Sequence, residues 1–300
     1  YMNAELHSHI EKNKNVIIYV NGELLPKNDA KVSVFDSGFM MGDGVWEGLR
    51  LVNNKWLFLD EHLNRLFEGA KAIDLDIGLT IRDLEKALNA TKSVNKMTDN
   101  AHARLMVTRG TKSKPFQKPS YSMSGSTVVI IMEHSEDSIK SSSISLATVP
   151  QVRGTPMMQD PKLNSHSKLN CILACIQAEK AGADEALMLD PLGFVNTTNS
   201  CNFFMVKNGE VWTSTGDYCM NGITRKKIIY LCKENGIPLY EKNFSLVDVY
   251  SSDEAFVTGT FGGVTPVISV DGKLIENNSN IEFSATLEKH YQKLVESQIQ

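Results

Sequence analysis

No stretch of this sequence is apolar for long enough to cross a membrane. The longest candidate, Val128 to Met132, is only strand-sized, whereas a spanning helix needs about 20 apolar residues. Lys and Arg form no block and the net charge is −4, so we expect no nucleic-acid-binding surface. The N-terminal residues lack the basic and apolar regions of a secretion signal. We therefore expect a cytoplasmic protein that binds neither membranes nor nucleic acids.

Cysteine is scarce, and no two cysteines form a CxxC pair. Five scattered cysteines suit a reducing compartment better than a disulfide framework. Cys171 and Cys175 share one helical face, which leaves open either a soft-metal site or two small buried residues. The seven histidines show no ligand spacing, and we expect no metal.

The chain has the size and composition of an ordinary enzyme. Its 300 residues allow one large domain or two of average size. Val16 to Val20 followed by Asn-Gly predicts a β-hairpin, and Thr80 to Val94 has the period and the N-cap of an amphipathic helix. Strands occur in both halves with few β-α-β alternations, which predicts the α+β class.

The polar stretch from Glu133 to Ser143 predicts a boundary between two domains. It is rich in Ser, Asp and Glu, the usual composition of a linker. We predict an N-terminal α+β domain at residues 1–140 and a C-terminal α+β domain at residues 141–300. Periodicity and stop signals in the second domain predict helices over Ser167 to Ala181, Ile223 to Asn235 and Ser284 to Gln298.

Three places have the features of an anion site. Asn221 to Arg225 stands where a helix begins, and the N–H groups and dipole of a helix N-terminus attract anions. Thr258 to Thr260 is followed by a glycine turn whose amides can converge on an anion, and Arg65 can add a charged fork. The alternative is an N-cap, a tight turn and a surface charge. No Walker A or Gly-x-Gly-x-x-Gly motif is present, so we infer no nucleotide.

Six stretches of the sequence, in order, resemble the fold-type IV (class IV) pyridoxal-phosphate-dependent aminotransferases, the group that includes branched-chain and D-amino-acid aminotransferases and aminodeoxychorismate lyase. The stretches are VFDSGFMMGDGVWEGLR (Val34 to Arg50), HLNR (His62 to Arg65), VTRG (Val107 to Gly110), DEALMLD (Asp184 to Asp190), NGITR (Asn221 to Arg225) and TGT (Thr258 to Thr260) with the TPV that follows at 265–267. The resemblance extends over roughly residues 16 to 290.

The resemblance implies a two-domain α+β fold of the D-amino-acid aminotransferase type, usually a homodimer, with pyridoxal 5′-phosphate in a cleft between the domains. It implies an aminotransferase acting on amino acids and 2-oxo acids, and the segment around Trp46 is closest to the branched-chain members. The residues that it assigns to the cofactor phosphate are Arg65, Ile223, Thr224 and Thr260. Those that it places near the substrate are Trp46, Glu47 to Arg50 and Arg109, and for Arg109 a structural ion pair is the alternative.

The resemblance also implies a lysine that carries the cofactor as a Schiff base, on a strand before the helix that begins near Ser167. In the most natural register this position holds Asn164. Lys162 would share its side of the strand, and a small bulge could bring it into place. Lys168 falls where many relatives have a tyrosine. Either lysine could serve as the amine, and both could be ordinary surface lysines.

A second departure concerns the glutamate that the family uses to keep the cofactor's pyridine nitrogen protonated. Its position holds Thr197, whose hydroxyl supplies no negative charge; Glu185 or a water molecule could take over. A neutral partner weakens the ring as an electron sink. Beside the aminotransferase, two alternatives therefore stay open: a cofactor-binding family member without transaminase activity, and a lyase on the same scaffold.

Overall fold

The computed structural model describes residue 9 and residues 11–135, 143–276 and 282–299. The chain divides into two compact units. The first unit comprises Tyr1–Asp137, Asn164–Ser167 and Gln298–Gln300, and the second comprises Ser138–Leu163 and Lys168–Ser297. The predicted boundary between residues 140 and 141 lies outside the described residues.

The first unit is built on an antiparallel sheet with the strand order β2-β1-β6-β5-β3-β4. Its strands are β1 (Ile17–Val20), β2 (Glu23–Pro26), β3 (Gly44–Val52), β4 (Lys55–Trp56), β5 (Ala101–Thr108) and β6 (Thr127–His134). Its helices are α1 (Ser37–Met41), α2 (Leu59–Ala72) and α3 (Ile81–Val94). Helix α2 packs on β3, and α3 packs on β1 and β6.

Local sequence signals account for several of these elements. The β1–β2 hairpin forms at the predicted turn, where Asn21 and Gly22 both have positive φ, as the turn requires. Helix α3 begins with the predicted cap, in which Thr80 and Asp83 exchange side-chain-to-backbone hydrogen bonds. These predictions are confirmed.

The second unit contains a larger mixed sheet. Its strands are β7 (Ile144–Thr148), β8 (Glu185–Leu189), β9 (Val195–Thr198), β10 (Asn202–Lys207), β11 (Glu210–Thr213), β12 (Leu239–Glu241), β13 (Glu254–Gly259), β14 (Gly263–Val270) and β15 (Lys273–Leu274). Its helices are α4 (Leu169–Lys180), α5 (Ile223–Glu234), α6 (Leu246–Tyr250) and α7 (Phe283–Ile299). The predicted helices therefore exist, with ends shifted by one or two residues.

The sheet of the second unit closes on itself. The strand order is β12-β11-β10-β13-β14-β7-β8-β9, and β10 pairs with β9 as well as with β13. The strands from β10 through β13, β14, β7 and β8 to β9 thus form a ring, and residues that include Phe203, Val257 and Val267 fill one hydrophobic core. Separate antiparallel and mixed sheets with helices packed on them confirm the predicted α+β class. No helix of the described residues is long and apolar enough to span a membrane.

The segment before α4 differs from the prediction. We expected a strand there, but residues 164–167 form only an isolated bridge, between Ser165 and Val45. The backbone of Trp46 donates to the Asn164 carbonyl, and that of His166 donates to Gly44, each at 3.0 Å. The segment therefore lies along the part of the β3 edge that β4 leaves uncovered, which explains why it belongs to the first unit.

Candidate functional site

In the first unit, a buried carboxylate lies beneath the predicted phosphate arginine. Glu47 is on β3, and His62 and Arg65 are three positions apart on α2, a spacing that puts both on one helix face. The Glu47 carboxylate accepts hydrogen bonds from Arg65 Nε and Nη2, both at 2.7 Å, and one from His62 Nδ1 at 2.7 Å. Glu47 was expected near the substrate, but it is fully buried against these two side chains.

The third nitrogen of the Arg65 guanidinium has no such partner. Nη1 is buried and makes no hydrogen bond to any described residue. A buried donor left without an acceptor costs about 1–3 kcal/mol, so this nitrogen favours an anion beside it. Burial raises the pKa of the Glu47 carboxyl, but the hydrogen bonds from His62 and Arg65 and the Arg65 charge outweigh it and lower the pKa overall. Glu47 is therefore ionised at neutral pH.

In the second unit, helix α5 begins with N–H groups that no side chain of its N-cap residue covers. The N-cap is Gly222, and Ile223 is the first helical residue. A Cβ at Gly222 would clash with Asn202 Oδ1, so the close approach of this backbone requires glycine. Thr224 is buried in the first turn. The amides of Ile223 and Thr224 are thus oriented as in anion sites at helix N-termini.

A row of buried polar side chains crosses the strands beside this helix. Thr197 on β9 pairs with Asn202 on β10, which pairs with Thr258 on β13, so all three side chains share one face. Asn202 Nδ2 donates to the Met220 carbonyl at 2.9 Å and fixes the loop before α5. Thr258 Oγ1 is buried without a hydrogen-bond partner in the described part of the chain. Thr260, the predicted phosphate ligand, is half-buried just after β13.

The residues around the predicted lysine position fall into different environments. Asn164 is buried, and its Nδ2 donates to the Trp46 carbonyl at 2.7 Å. Its Oδ1 is buried and has no hydrogen-bond partner among the residues described. Lys162 is exposed, in a turn held by a hydrogen bond from its backbone N–H to Asp160. Lys168 is half-buried at the N-cap of α4.

Thr197, at the predicted glutamate position, uses its hydroxyl proton within its own turn. Its Oγ1 donates to the Cys201 carbonyl, so the oxygen keeps only its capacity to accept. Glu185, the alternative, lies on β8 and accepts a hydrogen bond from Ser200 Oγ. Its other carboxylate oxygen is buried and without a hydrogen-bond partner among the described residues. The second unit therefore supplies one carboxylate with a free oxygen in this region, but not at the predicted position.

The two predicted substrate residues are both engaged in the first unit. Trp46 donates its indole N–H to the Ser165 carbonyl at 3.2 Å, and the Arg104 guanidinium lies 3.9 Å from the centre of its ring. Arg109 binds the Asp43 carboxylate through Nε and Nη2, at 2.8 and 3.0 Å. It also donates to the carbonyls of residues 73 and 74. These hydrogen bonds favour the alternative in which Arg109 is a structural ion pair.

Two residues of these clusters were not predicted as site residues. His62 lies within the HLNR motif, but its contact with Glu47 depends on how α2 packs on β3. Asn202 stands at the start of an apolar strand, and a polar residue within such a pattern is the one signal that could have marked it. Among the described residues, no cluster of three or more His, Cys, Asp or Glu side chains could hold a metal ion.

Comparisons with known proteins agree with this architecture. Residues 44–270 match the model of the family "Amino-transferase class IV". Branched-chain-amino-acid aminotransferase-like protein 1 of Arabidopsis thaliana is 38% identical over 288 residues, which are 96% of this chain and 52% of that protein. A putative branched-chain-amino-acid aminotransferase of Methanocaldococcus jannaschii is 37% identical over 280 residues, 91% of this chain and 94% of that protein.

Among solved structures, the branched-chain amino acid aminotransferase of T.th. with pyridoxamine 5′-phosphate is similar to this chain. Its TM-score is 0.87 at 26% identity, over 95% of each chain. The two-unit α+β architecture is thus the one found in this class of aminotransferases. The chain belongs to the class IV aminotransferase family, since the family model matches more than half of it. It spans about half the length of the Arabidopsis relative.

Proposed function

We propose that the chain binds pyridoxal 5′-phosphate and transfers amino groups between amino acids and 2-oxo acids, with branched-chain amino acids as the substrate class. The observation that carries this proposal is the buried, unpartnered Nη1 of Arg65 within the described residues, at the position that the resemblance assigns to the cofactor phosphate. The pyridoxamine 5′-phosphate in the solved relative and the branched-chain relatives support it.

The residues for the phosphate end of the cofactor fit this proposal in both units. Arg65 would supply a charged donor, and Ile223 and Thr224 would supply backbone N–H groups at a helix N-terminus. The hydroxyls of Thr258 and Thr260 would complete the set. The cofactor, when bound, supplies an aldehyde that takes up the amino group and an electron-poor ring that stabilises negative charge.

The amine end fits less well, because Asn164 has no basic nitrogen. Transamination also needs a group that moves a proton at the substrate's Cα. In this chain that base would be Lys162 or Lys168. Lys168 is the half-buried one of the two, and burial favours the neutral amine that such a base requires.

The test is to add pyridoxal 5′-phosphate, reduce with borohydride and locate the pyridoxyl group by peptide mass spectrometry. Transamination is measured in parallel with leucine, isoleucine or valine and 2-oxoglutarate. We expect the label on Lys168 or Lys162, and we expect replacement of the labelled lysine, by Lys168→Arg or Lys162→Arg, to abolish activity. Cofactor binding without any labelled lysine and without activity would overturn the transaminase proposal.

A second candidate function is cofactor binding without transaminase activity, and the environment of Asn164 favours it. Its amide is buried and hydrogen-bonded to Trp46, so this position holds a polar, unreactive side chain. The variant Asn164→Lys separates the two candidates. If the chain has lost transamination through this residue, Asn164→Lys gains borohydride-dependent label at residue 164, while the wild type has none. Label on a wild-type lysine contradicts this second candidate.

We further propose that the chain is a cytoplasmic homodimer. The exposed apolar residues along α4 support an assembly: Leu169, Ile172, Leu173 and Ile176 follow the spacing of one helix face. An apolar stripe of this kind is typical of a buried interface.

A further inference from the structure

Glu47 and His62 do not have the geometry of ligand-binding groups. Both are at most 1% exposed, and all their hydrogen bonds described above point to each other or to Arg65. Arg65 is the outermost member, with a side chain that is 16% exposed. The cluster therefore runs from a buried carboxylate to one guanidinium edge.

The way in which Glu47 holds Arg65 determines which nitrogen can reach a ligand. A guanidinium has a two-pronged edge, Nε and Nη2, which matches a carboxylate. Glu47 takes this edge with two bonds of 2.7 Å. A bidentate pair fixes the plane of the guanidinium as well as its position. Only Nη1 is left, and it is buried without an acceptor among the described residues.

His62 fixes the carboxylate in turn. Because Glu47 is ionised, its oxygens only accept, so His62 Nδ1 carries the proton of their 2.7 Å hydrogen bond. Without His62, the Glu47 carboxylate could rotate, and the plane of the guanidinium would rotate with it. An ion pair with this additional hydrogen bond is also better compensated for its burial.

We propose that Glu47 and His62 are positioning residues that orient Arg65 so that Nη1 binds a phosphate group. This inference rests on the proposed function only for the identity of the phosphate compound. The two residues act through Arg65 and do not touch the ligand. They determine phosphate affinity, and the recognition of the rest of the ligand is independent of them.

The experiment compares three ligands: pyridoxal 5′-phosphate, pyridoxal without phosphate, and inorganic phosphate, each titrated by calorimetry. In Glu47→Gln, an amide replaces one acceptor oxygen by a donor that faces a donor of Arg65 or His62. We expect at least about tenfold weaker binding of both phosphate compounds, because a charge-assisted hydrogen bond is lost. Pyridoxal binding stays unchanged. His62→Ala has the same effect in smaller measure, and His62→Asn, which keeps an N–H near Nδ1, restores affinity.

A matched control is Asp43→Asn, which breaks the other bidentate carboxylate–arginine pair of the first unit, Asp43 with Arg109. We expect it to lower stability without changing the ratio of pyridoxal phosphate to pyridoxal affinity. In an Arg65→Gln background, Glu47→Gln has no further effect on phosphate affinity, since Arg65 transmits its effect.

The outcomes separate the two proposals. Equal loss of affinity for pyridoxal and its phosphate in Glu47→Gln means a merely structural role and overturns the positioning proposal. A wild type that binds inorganic phosphate but not pyridoxal 5′-phosphate overturns the proposed function, and the phosphate titrations still test Glu47. A wild type that binds neither overturns both.

Discussion

An asparagine cannot replace a lysine as a nucleophile, because the lone pair of its amide nitrogen is delocalised into the carbonyl. Asn164 instead serves the backbone: its Nδ2 and its main-chain carbonyl oxygen both bond to Trp46, at 2.7 and 3.0 Å. A threonine likewise cannot replace a glutamate as a charge, and Thr197 donates its proton within its own turn. Both residues are buried. Local structure therefore accommodates both departures from the family pattern.

The Glu47 carboxylate gives the first unit a pH-dependent stability. Its pKa is lowered from 4.5 in the folded chain, so its contribution is fully present above about pH 4.5. The contribution is lost as the pH falls through the lower folded pKa. We expect the difference in unfolding free energy between the wild type and Glu47→Gln, measured in urea, to be constant near neutral pH and to narrow in acid. A difference that widens in acid would contradict the lowered pKa.

Among the elements, the N-terminus of α5 depends on a close backbone approach. Gly222 leaves no room for a Cβ beside Asn202, and Asn202 in turn holds the loop through Met220. The β10 and β13 partners Asn202 and Thr258 therefore lie in register with the first turn of a helix that packs on β13. Strand pairing and helix docking together create the concentration of N–H and hydroxyl groups that we assign to the phosphate.

We expect Gly222→Ala to weaken pyridoxal 5′-phosphate binding at least about tenfold, because displacing the helix N-terminus misaligns its N–H groups. Binding is measured by calorimetry, and stability by thermal unfolding. The control is Gly125→Ala, where a Cβ meets nothing within 4 Å and φ is not in the left-handed region. Unchanged affinity in Gly222→Ala would remove α5 from the phosphate site.

For the molecule as a whole, the exposed apolar face of α4 is the feature that a single chain leaves unexplained. Ile172 is 51% exposed at the middle of this face. We expect the wild type to have the mass of a dimer in light scattering and Ile172→Glu to shift it toward the monomer, because burying an unpaired carboxylate is costly. Leu192→Glu, on an exposed turn, serves as the control and leaves the mass unchanged. A monomeric wild type would make the homodimer proposal wrong.

Much of the fold could be predicted from local patterns. The Asn21-Gly22 hairpin and the Thr80 cap depend on residues close to one another in sequence, so the sequence alone indicates them. The strand predicted near residue 164 was wrong, because the conformation there depends on the open edge of β3, which is far away in the sequence. Periodicity carries no information about such a partner.

The sequence by itself determined the α+β class, the order of the family motifs, and the presence of Asn164 and Thr197 where the family has a lysine and a glutamate. Side-chain identity decides what chemistry a position can perform, and no fold changes that. The tertiary structure decided which nitrogen of Arg65 is left for a ligand. It also assigned Arg109 to an ion pair with Asp43. These depend on distances between side chains from different elements, which the packing of helices on sheets alone establishes.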